Sequence, residues 1–197
     1  MFKSLVDELG IKGHLTIHKV VKGEEELLFD NHNIIVSGFG WTLANLYGKE
    51  GSDVITDYQI DRFKLGLSGH AGAEAFSATD LSGPLSSAAQ YVGTGDSNLD
   101  TLTAKRWAND VATASEEVFA RIPFSKVTRV DDRTVRYTIL VDENSCNGLT
   151  LNEIGLFIKN PKGSSDETSV LAAYRYFTEI SKSIDFAIVF RWTISFG

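Results

Sequence analysis

The sequence predicts a mainly β protein: an antiparallel β-sandwich with one or two short helices and a long irregular central segment. Three observations predict this. Ile184, Phe186, Ile188, Phe190, Trp192, Ile194 and Phe196 fall on every second residue, the period of a strand that buries one face. Several other extended runs are separated by turn-forming clusters. The chain also holds 12 Phe, 6 Tyr and 3 Trp, and flat rings pack well on a pleated surface. Its 197 residues fit a single domain, 1–197, which would bury roughly 70% of its unfolded surface without a metal or disulfide.

Taken in order, Phe2, Leu5, Val6 and Leu9 stand at i, i+3, i+4 and i+7, so 2–9 reads as a short amphipathic helix. Two isolated turns are unstable in water, and this helix must lie against a surface. Residues 13–21 alternate as a strand, with Leu15 and Ile17 on one face and His14, Thr16 and His18 on the other. A second extended run covers 26–36. Ser37 is placed to cap a helix carrying Phe39, Leu43, Leu46 and Tyr47 on one side and stopping at Gly48. Residues 58–68 alternate again, Arg62 and Lys64 against Phe63, Leu65 and Leu67, with a phase slip near Asp61 that predicts a bulge.

From 69 to 112 the pattern dissolves into Gly, Ala, Ser, Thr and Asp. This is the irregular arm or insertion; such stretches usually have a role, often at an interface. A short helix is expected around 102–111. Strands return over 116–130 and 133–142, joined by a hairpin at Asp131-Asp132, then over 149–159 and 169–179. The run of closing strands predicts an antiparallel meander, and with the N-terminal strands a two-sheet sandwich.

The net charge is -7, and the basic residues are scattered. Phosphate would be repelled, which argues against a nucleic-acid partner. No apolar run reaches the ~20 residues of a membrane span, and the N-terminus lacks the pattern of a secretory signal. The expectation is a soluble chain made in the cytoplasm, with no membrane partner.

No catalytic, cofactor or metal site is expected. His14 and His18 share a strand face but stand about 13 Å apart by strand rise, too far for one ion, and they read with His32 and His70 as polar-face histidines. Cys146 is the only cysteine; in its turn, ENSCNG, it reads as a small loop residue. GFGWTLANLYG lacks the third glycine of a dinucleotide fingerprint. GTGDSN lacks the alternating acids of a calcium loop.

Several segments together resemble a family. Asn33, Ile35 and Phe39/Gly40 open a helix after a strand; Leu65, Gly66 and Gly69 form L-G-x-x-G; Asn152 to Phe157 read N-E-I-G-L-F; and Lys182-Ser183 precede Trp192 to Phe196. This order is similar to that in small virion structural proteins of tailed bacteriophages. The resemblance implies a structural subunit of the tail, baseplate, neck or fibre-attachment region, located in the virion. Its partners would be other virion proteins and copies of itself, and its role assembly rather than turnover. Phe2, Leu5, Phe76 and Trp107 are the candidate assembly contacts. A capsid decoration protein is the nearest variant. A carbohydrate-binding β-sandwich, with Tyr91, Trp107 or Tyr174 stacking on sugar rings, is the alternative from another class.

Overall fold

The computed structural model describes residues 10–48, 55–70, 74–91, 118–122, 124–158 and 169–197. The expected helices at 2–9 and 102–111 lie outside them, as do residues 160–168 of the polar loop 160–169 that reads as an exposed hairpin tip. Among the described residues are nine strands: β1 (Ile11–Val21), β2 (Glu24–Ile35), β3 (Ile60–Gly66), β4 (Ala120–Arg121), β5 (Val127–Asp131), β6 (Thr134–Val141), β7 (Thr150–Ile158), β8 (Val170–Ser181) and β9 (Ala187–Phe196). Helix α1 spans Ser37–Tyr47, and a single helical turn, α2, spans Ala88–Tyr91.

The mainly β, antiparallel class is as expected. All pairings are antiparallel, in the order β4-β3-β7-β8-β2-β1-β9-β6-β5. The two layers are halves of one curled sheet, continuous through β2. Residues 24–33 of β2 pair with β1, whereas Ile34 and Ile35 pair with Tyr174 and Ala173 of β8. The halves face each other across the main core. Leu15, Ile17, Ile139, Phe190 and Trp192 come from one half; Leu65, Ile154, Leu156 and Phe177 come from the other. The rings of Phe177 and Phe190 meet at 5.9 Å.

β9 is the centre of its half, paired with β1 and with β6 along its length, so that Trp192 lies between Leu15 and Tyr137. A one-residue slip would turn its core face outward, so the register is strongly specified. Ile184 departs from the expected alternation and is exposed. It precedes the strand, in a turn where the Asp185 N–H donates to Ser183 Oγ at 3.3 Å. The expected closing meander is also corrected. β7 and β8 pair with each other, but β9 crosses to the opposite half between β1 and β6. The core must be roofed from both sides, and the Lys182–Phe186 link carries the chain over.

The bulge near Asp61 is present: the β3–β7 register shifts between Ile60 and Arg62. The Asp131-Asp132 hairpin joins β5 and β6, with the Arg133 N–H donating to Asp131 Oδ1 at 2.7 Å. Ser37 does not cap α1. Val36 occupies that position, and Ser37 is the first helical residue, its N–H donated to the Phe76 carbonyl at 2.9 Å. A backbone acceptor thus does the work expected of a side chain.

The face of β3, β7 and β8 turned away from the main core is covered rather than wet. Segment 74–85, part of the irregular stretch, lies across it and builds a second small core of Val36, Leu81, Phe157, Leu171, Tyr174 and Tyr176. This explains why Lys64, expected on a polar face, is buried; Arg62, expected there too, is buried instead against the Phe119 ring, with hydrogen bonds to Asp61 and Ser169. Lys64 Nζ pairs with Asp80 at 2.8 Å and lies 4.4 Å from the Phe157 ring centre. Arg175 pairs with Glu74 at 3.0 Å. The hydroxyl groups of Ser82 and Tyr176 meet at 2.6 Å.

Asn152 and Glu153 fasten this cover. Leu151, Ile154, Leu156 and Ile158 point into the main core, so the alternation slips at 152–153 and both polar side chains leave on the outer side. Asn152 accepts the Gly69 N–H at Oδ1 and donates Nδ2 to the Gly69 carbonyl, both at 2.9 Å. Glu153 has no exposed surface. Its carboxylate accepts the N–H groups of Ser82 at 3.0 Å and Gly83 at 2.7 Å. At Gly155 a Cβ would press on Leu171, Phe157 and Leu81 at about 3 Å, the close neighbour expected for a strand glycine. Glu153→Gln is expected to cost about 1–3 kcal/mol, because an amide N–H₂ would face a buried N–H donor. Urea unfolding should show the loss, and the Ser82 and Gly83 amides should exchange faster; an unchanged midpoint would remove Glu153 from this role.

Candidate interaction surface

α1 lies across one end of the curled sheet. Phe39 and Thr42 turn inward, and the Thr42 hydroxyl donates to the Gly38 carbonyl at 2.9 Å. Leu43 and Leu46 are half-buried, while Trp41 and Tyr47 face outward. The helix ends as expected at Gly48, whose N–H donates to the Ala44 carbonyl at 2.9 Å.

Beneath α1 opens a cleft of about 520 Å³. Leu43, Leu46, Tyr58, Ile122, Val135 and Phe196 are among its walls. Phe196 reaches it because β9 ends there, its ring 6.1 Å from that of Phe39. Asp61, displaced by the bulge, and Arg121 supply the charge in the lining. They are bound to each other at 2.5 Å, and Asp61 also accepts from Arg62 Nε at 2.7 Å. The Arg62 guanidinium lies 4.1 Å from the Phe119 ring centre. Burial pushes the Tyr137 hydroxyl up to about 12, so it stays neutral in this lining. The recess therefore suits apolar side chains, its charges being neutralised in place.

The rim is more apolar than a solvated end requires. Tyr47 and Phe124 are each 85% exposed, and Ile55 is 64% exposed. On the other flank of α1 a second groove of about 440 Å³ is lined by Ser37, Trp41, Ala78 and Leu171 among others. Large exposed apolar side chains next to apolar grooves are a feature of interaction sites.

Of the candidate contacts, Phe76 is partly exposed beside this second groove, its carbonyl holding Ser37. Phe2, Leu5 and Trp107 lie outside the described residues. Sequence reasoning missed Trp41, Ile55 and Phe124. Tyr47 was assigned to the packed face of its helix and instead points to solvent. Tyr91 and Tyr174, offered as sugar platforms, are buried. Tyr91 accepts the Leu65 N–H at 3.0 Å, and Tyr174 contacts Ala75.

His14 and His18 stand on the polar face of β1, as expected. His14 Nε2 meets Asp30 Oδ1 at 2.6 Å, and the His32 ring lies 5.6 Å from that of His14. His18 approaches Glu25, which Arg191 grips with both terminal nitrogens. Among the described residues no group of three or more His, Cys, Asp or Glu side chains can hold a metal ion.

Cys146 is a structural residue. It takes a left-handed conformation with φ 59° in the turn after β6, and its N–H donates to the Tyr91 carbonyl at 3.0 Å. Lys182 holds the same turn. Its Nζ donates to the Glu143 carbonyl, Asn147 Oδ1 and the Ser183 carbonyl, while desolvation lowers its pKa. No protein family, curated protein or solved structure matches the chain.

Burial pushes the Cys146 thiol up to about 12. At pH 8 about one thiol in ten thousand would be ionised, and the thiolate is the reactive form. Iodoacetamide labelling at pH 8 should therefore follow unfolding, rising in urea with the loss of structure. Labelling of the folded chain at the rate of a free thiol would contradict this.

Proposed function

We propose that this chain is a structural subunit of a tailed-phage virion, in the tail, baseplate, neck or fibre-attachment region, acting by protein–protein assembly. The observation that supports this best is the apolar end of the molecule. Phe124 lines a cleft whose own charges are already paired, and Tyr47, next to the cleft residue Leu46, and Ile55, in the turn that ends at the cleft residue Tyr58, are exposed. Burying such a rim against another protein recovers hydrophobic free energy that solvent exposure forfeits. The resemblance in motif order agrees with it. Asn152, Glu153, Gly66, Gly69 and Lys182, which carry that resemblance, all serve packing and backbone hydrogen bonds. On this reading the protein is not an enzyme, and its partners are other virion proteins and further copies of itself.

Phe124→Glu and Tyr47→Glu test the surface directly. Both side chains are 85% exposed, so each variant should unfold within about 0.5 kcal/mol of the parent. Incorporation into particles, read by mass spectrometry of purified virions, should fall at least tenfold. A parent chain absent from virions, and monomeric at high concentration, would overturn the assignment. The same measurement on separated heads and tails distinguishes a tail protein from a capsid decoration protein.

A further inference from the structure

The cleft beneath α1 lies where the chain enters the fold. Ile11, the first residue of β1, is paired with Phe196, and Phe196 is part of the cleft wall. Gly10 precedes it with φ +67°, and a side chain there would collide with the Gly197 carbonyl. The backbone thus turns at Gly10, beside the cleft. Residues 1–9 lie outside the described residues, and their sequence carries Phe2, Leu5, Val6 and Leu9 at the spacing of one helix face. Nine residues span about 14 Å as a helix and about 30 Å extended, so the segment has the length to enter a cleft next to its point of attachment.

We propose that residues 2–9 of the same chain dock in this cleft, placing Phe2, Leu5, Val6 and Leu9 against the apolar wall that includes Leu43, Leu46 and Val135. Three observations favour this occupant. The lining is apolar apart from a few polar groups, and its charged pair, Asp61 and Arg121, is already joined. The segment has an apolar face that two free helical turns cannot sustain in water. The tether between segment and cleft is a single glycine, and a short tether gives an effective concentration on the order of millimolar. A second copy at micromolar concentration competes poorly with that. The virion reading rests on the exposed rim, and this proposal on the cleft beneath it, so either can fail without the other.

The test is disulfide trapping in the full-length chain. Leu5→Cys would be combined with Leu46→Cys, and separately with Val135→Cys, under mild oxidation at micromolar protein. Cys146 is buried and stays out of the exchange. A control pairs Leu5→Cys with Lys22→Cys, at the far end of β1. An intrachain disulfide in most molecules of at least one cleft pair, and little in the control, is the expected result. Disulfides only between chains would assign the cleft to a second copy and overturn the proposal; so would no cleft disulfide, or equal trapping in the control. A second measurement does not depend on cysteine placement. Leu5→Asp combined with Leu9→Asp should speed amide exchange in α1 at least tenfold and raise binding of an apolar dye. Exchange and dye binding equal to the parent would overturn the proposal as well.

Discussion

Glu153 has no exposed surface, and a carboxylate without water must find hydrogen-bond donors inside the protein. It finds them in the Ser82 and Gly83 amides. That requirement brings segment 74–85 back across the sheet. Space for the carboxylate comes from Gly66, where any side chain would occupy its position, and from Gly69, where a Cβ would stand 2.9 Å from the Glu153 Cβ. Once the cover is seated, Lys64 is sealed beneath it and needs a counter-charge. Asp80, on the cover itself, provides it. Removing one partner of such a pair is costly, so the cover and β3 stand or fall together.

The same chain of dependence gives physical sense to motifs that are far apart in sequence. L-G-x-x-G at 65–69 and N-E-I-G-L-F at 152–157 are one unit in space: Asn152 binds both backbone groups of Gly69, and Glu153 fills the room left by Gly66. Lys182, ahead of β9, organises the turn containing Cys146, where the Gly148 N–H donates to the Lys182 carbonyl. Motif order can therefore be maintained by packing demands alone.

Strand placement was legible because burial imposes a period. β1, β6 and β9 alternate cleanly, and the phase slip at Asp61 marks a bulge in the sequence itself. The crossing of β9 was not legible, since local alternation says nothing about which strand lies alongside. The cover was not legible either. Its residues have no period, because they are held by backbone amides, single hydroxyl groups and ion pairs reached across about 70 to 100 positions of sequence. Arg62 and Lys64 misled for the same reason: a charged residue on a strand reads as solvated until its counter-ion is seen. At the candidate surface, Phe124 fell within the run 116–130 expected to be a strand, whereas it opens a short helical turn before β5, and exposure is a property of the neighbours.

The sheet's own edges are poorly suited to pairing with other chains. Edge strands invite pairing with other chains unless something blunts them. β5, the last strand of its half, has five residues, a register shift between Arg129 and Asp131, and a charged hairpin in which Arg129 pairs with Asp132. β4, at the opposite edge, has two residues. The outer face of β1 and β2 carries the His14–Asp30 and Glu25–Arg191 pairs, which would have to be desolvated in any contact. At the α1 end, burying Tyr47, Ile55 and Phe124 strips water from apolar atoms, where desolvation favours association. Among the described residues, edge pairing and polar-face stacking are thus more costly routes to association than burial of the apolar side chains around α1.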